Sequence, residues 1–271
     1  MKPDLSIIIV TYRSEKHLGH LLDSLAKAKR NLILETIVVD NYLADKSLDI
    51  AALHKLRPKT FASPGNVGFS KAVNFAIKKC HAPYIFLINP DCTVFPSTLM
   101  KLLQFAKESP LIGAVVPRLL NQNNHTQPSV FHLPSITNAF KAYFFNQKEY
   151  FGKYLPKNNT HVEAAVMAAM LIPKSTFDKV GYLDERYFLY YEDLDFCARL
   201  KKHSLPLIFL SGAKVKHIHG ASGSFTSHLH SPLARSSEIY HGKTYSYLLN
   251  SVLWAGQKWQ KLISHDWLPS R

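Results

Sequence analysis

Cysteines and long hydrophobic segments are both scarce in this 271-residue sequence. The three cysteines, Cys80, Cys92 and Cys197, form no C-x-x-C pair, which argues against a zinc knuckle or a disulfide framework and favours a reducing compartment. The longest uncharged apolar run, residues 164–173, is too short to span a bilayer, and the amino-terminal run lacks the features of a signal peptide. We therefore expect a cytoplasmic protein, soluble or peripheral at the inner face of the cytoplasmic membrane.

Acidic residues are also scarce, since 19 Asp and Glu against 33 Lys and Arg leave a net charge of +14. An excess of this size favours an anionic partner without identifying it. The basic residues are spread along the chain with no Lys/Arg-rich block or nucleic-acid-binding motif, so no nucleic-acid partner is expected. A phosphorylated ligand and an anionic membrane surface fit the charge better.

No G-x-G-x-x-G motif follows the first predicted strand, which argues against a dinucleotide-binding fold of the dehydrogenase kind. Residues 5–10 form a nearly continuous, β-branched apolar run that is typical of a central parallel strand. A helix is predicted over residues 15–29, and a second strand over residues 36–40 ends in Asp40. This β-α-β order predicts an α/β protein with a mostly parallel, Rossmann-like central sheet flanked by helices.

A further apolar strand is predicted over residues 84–88 and stops at an Asn-Pro-Asp sequence, residues 89–91. Ligands of open α/β sheets bind at the carboxyl ends of strands. Asp91 is therefore a candidate ligand for Mg2+ or Mn2+ held against a nucleotide diphosphate. The alternative is an Asx-Pro turn in which Asn89 and Asp91 only end the strand before the helix that begins near Pro96.

A glycine-containing loop, residues 65–68, leads into the next predicted helix. Its two glycines flank Asn66 and allow the backbone to approach a ligand closely. Glycine-asparagine sequences also form ordinary turns, so the loop alone does not establish a binding site.

Residues 181–200 combine five carboxylates with six aromatic rings. Glu192 and Asp193 lie at the predicted start of a helix, where the positive end of the helix dipole stabilises negative charge. The alternative is a helix whose first turn is acidic for that reason alone. Further along, His217 and His219 could share a metal ion, although no nearby cysteine or H-x3-H spacing supports structural zinc.

The helical periodicity fades over residues 121–160, where aromatic side chains are scattered among Asn, Gln, His and Pro. A region of this length without clear elements is usually functional or disordered, and we interpret it as a partly mobile region that gives access to an acceptor. The tail, residues 246–268, reads as a basic, Trp-rich amphipathic helix. Such a helix suits a membrane interface, packing on the domain, or packing on a partner subunit in a homo-oligomer.

Together these segments resemble glycosyltransferase family 2, and in particular its bacterial rhamnosyltransferase-like members. The resemblance spans about residues 4–224 and rests on six segments that occur in the order of the family: SIIIVTYRS, IVVDN, PGNVGFSKAVNFAI, LINPD, GYLDERYFLYYEDLDFCARL and HIHGAS. It implies a GT-A fold over residues 1–230, with residues 121–160 as a long acceptor-side loop region. Residues 231–271 would then be a C-terminal helical extension.

The resemblance also implies that residues of three segments bind a nucleoside-diphosphate sugar, linked to dTDP or UDP. Thr11 and Tyr12 look like the nucleotide-contacting end of the first strand, and Asp40 looks like the acid that reads the base. Asn66 and Gly68 resemble the donor-loop residues of the family.

The metal site implied by the resemblance departs from the usual D-x-D pattern. Asn89 replaces the first acid, which leaves Asp91 as the carboxylate ligand of Mg2+ or Mn2+. His217, at the head of H-x-x-G-x-S, is similar to a histidine that completes the metal site, and His219 is the competing candidate.

Glu192 and Asp193 resemble an acidic pair in which the second acid acts as the general base. Glu192, Tyr191 and Arg199 would then orient that base or the acceptor. The activity implied is inverting transfer of a sugar, with rhamnose suggested, to a hydroxyl of a lipid-linked glycan in surface polysaccharide or lipopolysaccharide biosynthesis.

Two rival functions stay open from the sequence. A nucleotidyltransferase on a similar α/β sheet would need a glycine-rich basic loop after the first strand, where the sequence offers only Arg13. A non-catalytic basic module that binds membranes or nucleic acid would bind in a strongly salt-dependent way and require no metal.

Overall fold

The computed structural model describes residues 2–218 and 232–265. The strands of the chain are β1 (Leu5–Thr11), β2 (Leu34–Asp40), β3 (Lys59–Ala62), β4 (Tyr84–Ile88), β5 (Cys92–Val94), β6 (Ala114–Leu120), β7 (Thr126–Gln127), β8 (Val130–Phe131), β9 (Thr160–His161), β10 (Ala164–Ala165), β11 (Ala169–Pro173) and β12 (Leu207–His217). The helices are α1 (Glu15–Ala28), α2 (Ser47–Leu53), α3 (Phe69–Ile77), α4 (Thr98–Glu108), α5 (Ile136–Phe144), α6 (Lys174–Val180), α7 (Glu192–Lys202), α8 (Pro232–His241) and α9 (Lys243–His265), with a short 3-10 helix at Lys148–Tyr150.

The main sheet has the strand order β3-β2-β1-β4-β11-β6-β12-β5. The first four of these strands are parallel to one another, as are β6 and β12, whereas β11 and β5 run antiparallel to their neighbours. The predicted α/β class and mostly parallel sheet are therefore confirmed. Because β1, β2 and β4 are parallel and adjacent, their carboxyl ends meet at one edge.

The sheet is covered by helices on both faces. Alternate residues of β1 point to opposite sides, so Ile7 packs in one core cluster with α1 and α4, while Ile8 packs in the other with α3 and α7. The continuous apolar run that predicted a central strand follows from this burial on both faces.

The region 121–160 holds more regular structure than its sequence predicts, because it contains β7, β8, α5 and the 3-10 helix. α5 packs against the tail helix α9, with Gly256 placed where an added Cβ would lie 2.5 Å from the Tyr143 side chain. The tail thus packs on the domain through one face. Within the described residues, no helix combines the length and apolar character needed to cross a bilayer.

Candidate active site

The carboxyl ends of β1 and β2 are joined by a buried hydrogen bond. Thr11 and Asp40 are partners in the parallel ladder, and Thr11 Oγ1 donates to Asp40 Oδ1 at 2.6 Å. Burial raises the pKa of Asp40, and this hydrogen bond opposes the rise. Both side chains are fully buried. The structure therefore gives them a role in shaping the edge, and their contact with a nucleotide stays a prediction.

A group of accessible side chains lies just beyond these two strand ends. The rings of Tyr12 and Tyr42 meet edge to face with centroids 5.2 Å apart, and the Arg13 guanidinium lies 4.9 Å from the Tyr42 centroid. A cation beside aromatic rings suits a ligand that carries both a base and phosphates. Arg13 and Tyr42 were absent from the predicted site. Both residues lie two positions after the ends of adjacent strands, and this position could have identified them as part of the site.

The glycine-containing loop packs directly on the acidic segment. Gly68 has φ +88°, and an added Cβ would lie 2.8 Å from Phe188, so a side chain at this position meets both strain and overlap. The loop is shaped by Asn66, whose Oδ1 accepts a 3.2 Å hydrogen bond from the Gly68 N–H. The next residue extends the contact, because the Phe69 N–H donates to the Phe188 carbonyl at 2.9 Å.

A second contact between these segments comes from α3. The buried Asn74 side chain donates to the Leu183 carbonyl at 2.8 Å and accepts from the Leu183 N–H at 3.0 Å. It also donates to Glu185 at 3.0 Å. The predicted donor loop and the predicted acidic cluster, more than 100 residues apart in sequence, are thus held together.

The acidic pair follows a strained turn. Tyr190 and Tyr191 both adopt left-handed backbone conformations, with φ +69° and +67°, which non-glycine residues rarely do. α7 begins at the next residue, so the predicted helix start at Glu192 and Asp193 is confirmed. Asp193 accepts a 2.8 Å hydrogen bond from the backbone N–H of Leu194.

Burial is the main influence on the ionisation of this pair. It raises the pKa of Glu192, and the charge of Asp193 raises it further. Burial also raises the pKa of Asp193, against the hydrogen bond from Leu194 and the charge of Lys153. Two adjacent carboxyls of this kind titrate as a pair, and such a pair holds and releases a proton nearer to neutral pH than isolated acids do.

Asp91 lies at the carboxyl end of β4, at the junction with β5 and β12. Its carbonyl accepts a 3.1 Å hydrogen bond from the Ile218 N–H, and its Oδ1 lies 3.6 Å from His217 Nε2. Burial raises the pKa of Asp91 to about 6. A carboxylate and an imidazole that converge in this way are donors suited to a divalent cation, so the pairing of Asp91 with His217 fits the predicted metal site.

The two acidic centres flank a single short stretch of backbone. The Met167 backbone lies near enough to Asp193 to oppose the rise in its pKa. The next residue, Ala168, accepts a 2.9 Å hydrogen bond from the Asn89 N–H at its carbonyl. Asn89 begins the turn that carries Asp91. The sequence did not identify residues 164–173 as part of the site, because their apolar character gives no chemical signal.

Lys153 contributes a cation from the region 121–160. Its Nζ lies 5.7 Å from the Phe131 ring centroid, and its charge acts on Asp193. Burial lowers the pKa of Lys153, and Asp193 opposes that change. This residue was also missed in the sequence, where nothing distinguished it from the other lysines of an irregular region.

Arg199 and Tyr191 are engaged by other parts of the protein. Arg199 Nη2 lies 2.7 Å from Asp195 Oδ2, and its Nη1 donates to the Val180 carbonyl at 2.6 Å. These contacts fix α7 to the preceding loop and do not themselves point to an acceptor. The Tyr191 ring packs 5.4 Å from Tyr240 of α8. His219, the competitor of His217, lies outside the described residues.

Comparison with known proteins places this geometry in a family. The profile described as "Glycosyl transferase family 2" matches residues 6–174 of the 271. The chain is 26% identical over 265 residues to N-acetylglucosaminyl-diphospho-decaprenol L-rhamnosyltransferase of Mycobacterium tuberculosis, which covers 90% of this chain and 83% of that protein. It is 24% identical over 231 residues to rhamnosyltransferase WbbL of Escherichia coli, covering 82% and 86% of the two chains.

Two solved structures share the fold. GalNAc-T7, crystallised with UDP, GalNAc and Mn2+, superposes with a TM-score of 0.65 and 14% identity over 89% of this chain and 48% of its own. TarS of Staphylococcus aureus superposes with a TM-score of 0.58 and 21% identity over 81% of this chain and 37% of its own. This chain therefore spans half or less of either protein, and the likeness concerns the fold alone. The predicted GT-A fold is confirmed, and the chain belongs to glycosyltransferase family 2 as a rhamnosyltransferase-like member.

Proposed function

We propose that this glycosyltransferase moves a sugar, rhamnose, from a dTDP- or UDP-linked donor to a hydroxyl of a glycan acceptor, with inversion at the anomeric carbon. The names of the two rhamnosyltransferases support the sugar. The observation that carries the proposal is the convergence of Asp193 and the Asn89–Asp91 turn on the adjoining residues Met167 and Ala168. Inversion in one step needs a base on the face of the sugar opposite the leaving diphosphate. In this proposal Asp193 supplies the base and the turn that carries Asp91 binds the diphosphate.

Asp193 is the general base in this proposal. An acceptor hydroxyl has a pKa far above neutral, so its attack on the anomeric carbon is assisted by a carboxylate that takes the proton. The raised pKa of Asp193 makes it a better proton acceptor than an ordinary aspartate. Glu192 lies next to Asp193 in sequence, and its protonation state changes the pKa of Asp193 because the two carboxyls interact. Lys153 offsets the negative charge of Asp193 when Asp193 is ionised.

Asp91 and His217 are the proposed ligands of Mg2+ or Mn2+. When bound, the cation would stabilise the negative charge that develops on the departing diphosphate. The fit rests on the 3.6 Å approach of the two side chains and on the raised pKa of Asp91, a carboxylate that a neighbouring cation would stabilise. The Mn2+ in the GalNAc-T7 structure is in keeping with this choice.

The donor would lie along the edge formed by β1, β2 and the loop around Gly68. Tyr12, Arg13 and Tyr42 are accessible there to the base and phosphates. Asn66 and Gly68 bring the loop backbone towards the sugar. The Thr11–Asp40 hydrogen bond and the backbone hydrogen bonds of Asn89 hold the edge in shape.

We further propose a lipid-linked acceptor reached at the inner face of the cytoplasmic membrane. The M. tuberculosis relative is named for a glycan on diphospho-decaprenol. One face of α9 exposes large apolar side chains, with Trp254 65%, Trp259 46% and Leu262 64% accessible, and the helix has no Asp or Glu. An aromatic face with lysines suits an anionic membrane interface. In this scheme residues 1–230 form the catalytic domain and residues 231–271 the membrane-contacting extension.

The test is the transfer rate of the Asp193→Asn variant, measured with purified protein by mass spectrometry of the acceptor product. We expect the rate to fall by about 10²–10⁴-fold, the usual contribution of a general base. Binding of the nucleotide diphosphate, measured by thermal shift, should persist. Asp178→Asn, an exposed acid on α6, is the matched control and should transfer at the wild-type rate. Wild-type transfer by Asp193→Asn would overturn the assignment of the base.

A further inference from the structure

Cys92 occupies a position that the proposed function does not use. It is the first residue of β5, and its direct partner in the antiparallel ladder with β12 is His217. Directly opposed residues of such a ladder point to the same face, with Cβ atoms about 4.5–5.5 Å apart. The backbone register of the two strands therefore places the Cys92 thiol and the His217 imidazole next to each other on one face of the sheet.

The adjoining residue completes a cluster. The ligand-type atoms of Asp91, Cys92 and His217 all lie within 4.8 Å of one another, and all three residues are buried. Among the described residues, this is the one group of three His, Cys, Asp or Glu side chains whose ligand-type atoms lie this close together. The Cys92 Sγ lies 3.5 Å from the Ala168 carbonyl, so the thiol faces the stretch of backbone that joins the two acidic centres.

We propose that Cys92 is a third protein ligand at this position, so that the site binds zinc-like cations such as Zn2+, Co2+ and Cd2+ in preference to Mg2+. The inference extends the metal site of the proposed function. A thiolate is a soft ligand that selects such cations, whereas Mg2+ prefers oxygen ligands alone. Carboxylate, imidazole and thiolate together match the three-ligand zinc sites that keep one position open. On binding, the thiol loses its proton to solvent and a metal–sulfur bond forms.

One consequence concerns competition between metals. A nucleotide diphosphate contributes several oxygen ligands to Mg2+ or Mn2+, whereas a tetrahedral cation held by three side chains has a single position left. Zinc bound through Cys92 should therefore displace the cation that supports transfer. The protein would be reversibly inhibited by zinc, and a chelator that removes zinc would restore transfer when Mn2+ is supplied.

The experiment titrates Co2+ into the full chain under a thiol-free reductant and records the near-ultraviolet sulfur-to-cobalt charge-transfer band. We expect the band in the wild-type protein, its loss in Cys92→Ser, and its retention in Cys80→Ser and Cys197→Ser. The last two are matched controls, since both thiols are also buried. Loss of an outer partner of a metal ligand already weakens binding about 10–100-fold, so Co2+ binding by Cys92→Ser should weaken by at least about tenfold.

Absence of the band in the wild type, or its persistence in Cys92→Ser, would overturn the proposal. If Cys92→Ser does not fold, the wild-type protein alone decides, because Zn2+ must release more protons per bound cation than Mg2+ does in a pH-stat titration. Equal release would refute the thiolate. The readout is independent of transfer: a sulfur band without Mn2+-supported transfer would leave Cys92 as a ligand and defeat the proposed function, and transfer without the band would do the reverse.

Discussion

The two acidic centres of the site are built in different ways. Asp91 is held by backbone: it follows a central strand, its carbonyl is bonded to the Ile218 N–H, and its neighbours lie in the ladder between β5 and β12. Glu192 and Asp193 follow a strained turn that side chains from separate segments hold in place. The surrounding groups also differ, since Asp91 Oδ1 lies 3.6 Å from His217 Nε2 whereas the charge of Asp193 acts on the neighbouring carboxyl of Glu192. The first arrangement suits a cation, and the second suits a proton.

The turn before the acidic pair is gripped from two sides. Phe188 contacts the loop at Gly68, and the Leu189 carbonyl accepts a 2.9 Å hydrogen bond from Ser236 of α8. The position of Asp193 therefore depends on the donor loop on one side and on the helical extension on the other. The contrast with Asp91 suggests that mutations far from the acidic pair will move it more readily than they move the strand edge.

At the strand edge, the largest effect is expected from removing the charge of Asp91. Asp91→Asn should lower kcat/KM by about 10²-fold or more, because a bound cation contributes several kcal/mol to transition-state stabilisation. The measurement is the transfer rate as a function of Mn2+ concentration, with Asp178→Asn as the control. If Asp91→Asn keeps the wild-type dependence on Mn2+, then Asp91 does not bind the cation, and the assignment of metal binding to this centre is wrong.

A substitution in the donor loop should show how far the acidic turn depends on that loop. Gly68→Ala places a Cβ 2.8 Å from Phe188 at φ +88°, and we expect a loss of about 1–3 kcal/mol in the free energy of unfolding together with weaker donor binding. Urea unfolding gives the first quantity and nucleotide titration the second. Gly19→Ala, in α1 and 3.8 Å from Ile50, should instead stabilise by about 0.5–1 kcal/mol. Equal effects of the two changes would contradict this account.

Much of the strand edge could be predicted from the sequence, because each strand is a local apolar run that ends in a polar residue. β1, β2 and β4 lie where they were predicted to within two residues, and α7 begins at Glu192. The pairing of Cys92 with His217 could not be predicted, since it depends on the register of two strands 125 positions apart in number. Local periodicity carries no information about such a register.

The acceptor side was harder to predict for a different reason. Lys153 reaches Asp193 from an irregular region, and α5 is stabilised by α9 rather than by its own nine residues. A helix that short is marginal in isolation, so its sequence gives a weak signal. The roles proposed for Asp193, Asp91 and His217 stay predictions, drawn from family resemblance and supported by the geometry.

The ionisation of the acidic pair gives a test through stability. Burial and the charge of Asp193 raise the pKa of Glu192, so between the unfolded and folded pKa values the folded state keeps a proton that the unfolded state has lost. Its stabilising contribution is complete below about pH 4.5 and is lost as the pH rises through the folded value. Glu192→Gln stays neutral, so its stability relative to the wild type should increase steadily from pH 4.5 to 8.5. Denaturant midpoints across this range measure it. Glu108→Gln, at an exposed position, should show no such trend.

The smallest effect on folding is expected from substitutions in the tail. The same substitutions should selectively weaken binding to membranes. Trp254 is largely exposed and Trp259 about half exposed, with its ring 6.4 Å from that of Phe144, so replacing both with Ala should change the free energy of unfolding by no more than about 1 kcal/mol. Sedimentation with anionic vesicles should nevertheless fall, because interfacial binding scales with the buried apolar area. The double variant Leu53→Ala and Leu111→Ala removes two exposed leucines elsewhere and should sediment like the wild type. Equal sedimentation of all three proteins would leave α9 as a packing element for α5 and not as the membrane contact, whereas selective loss would tie the acidic turn, through α8, to the membrane.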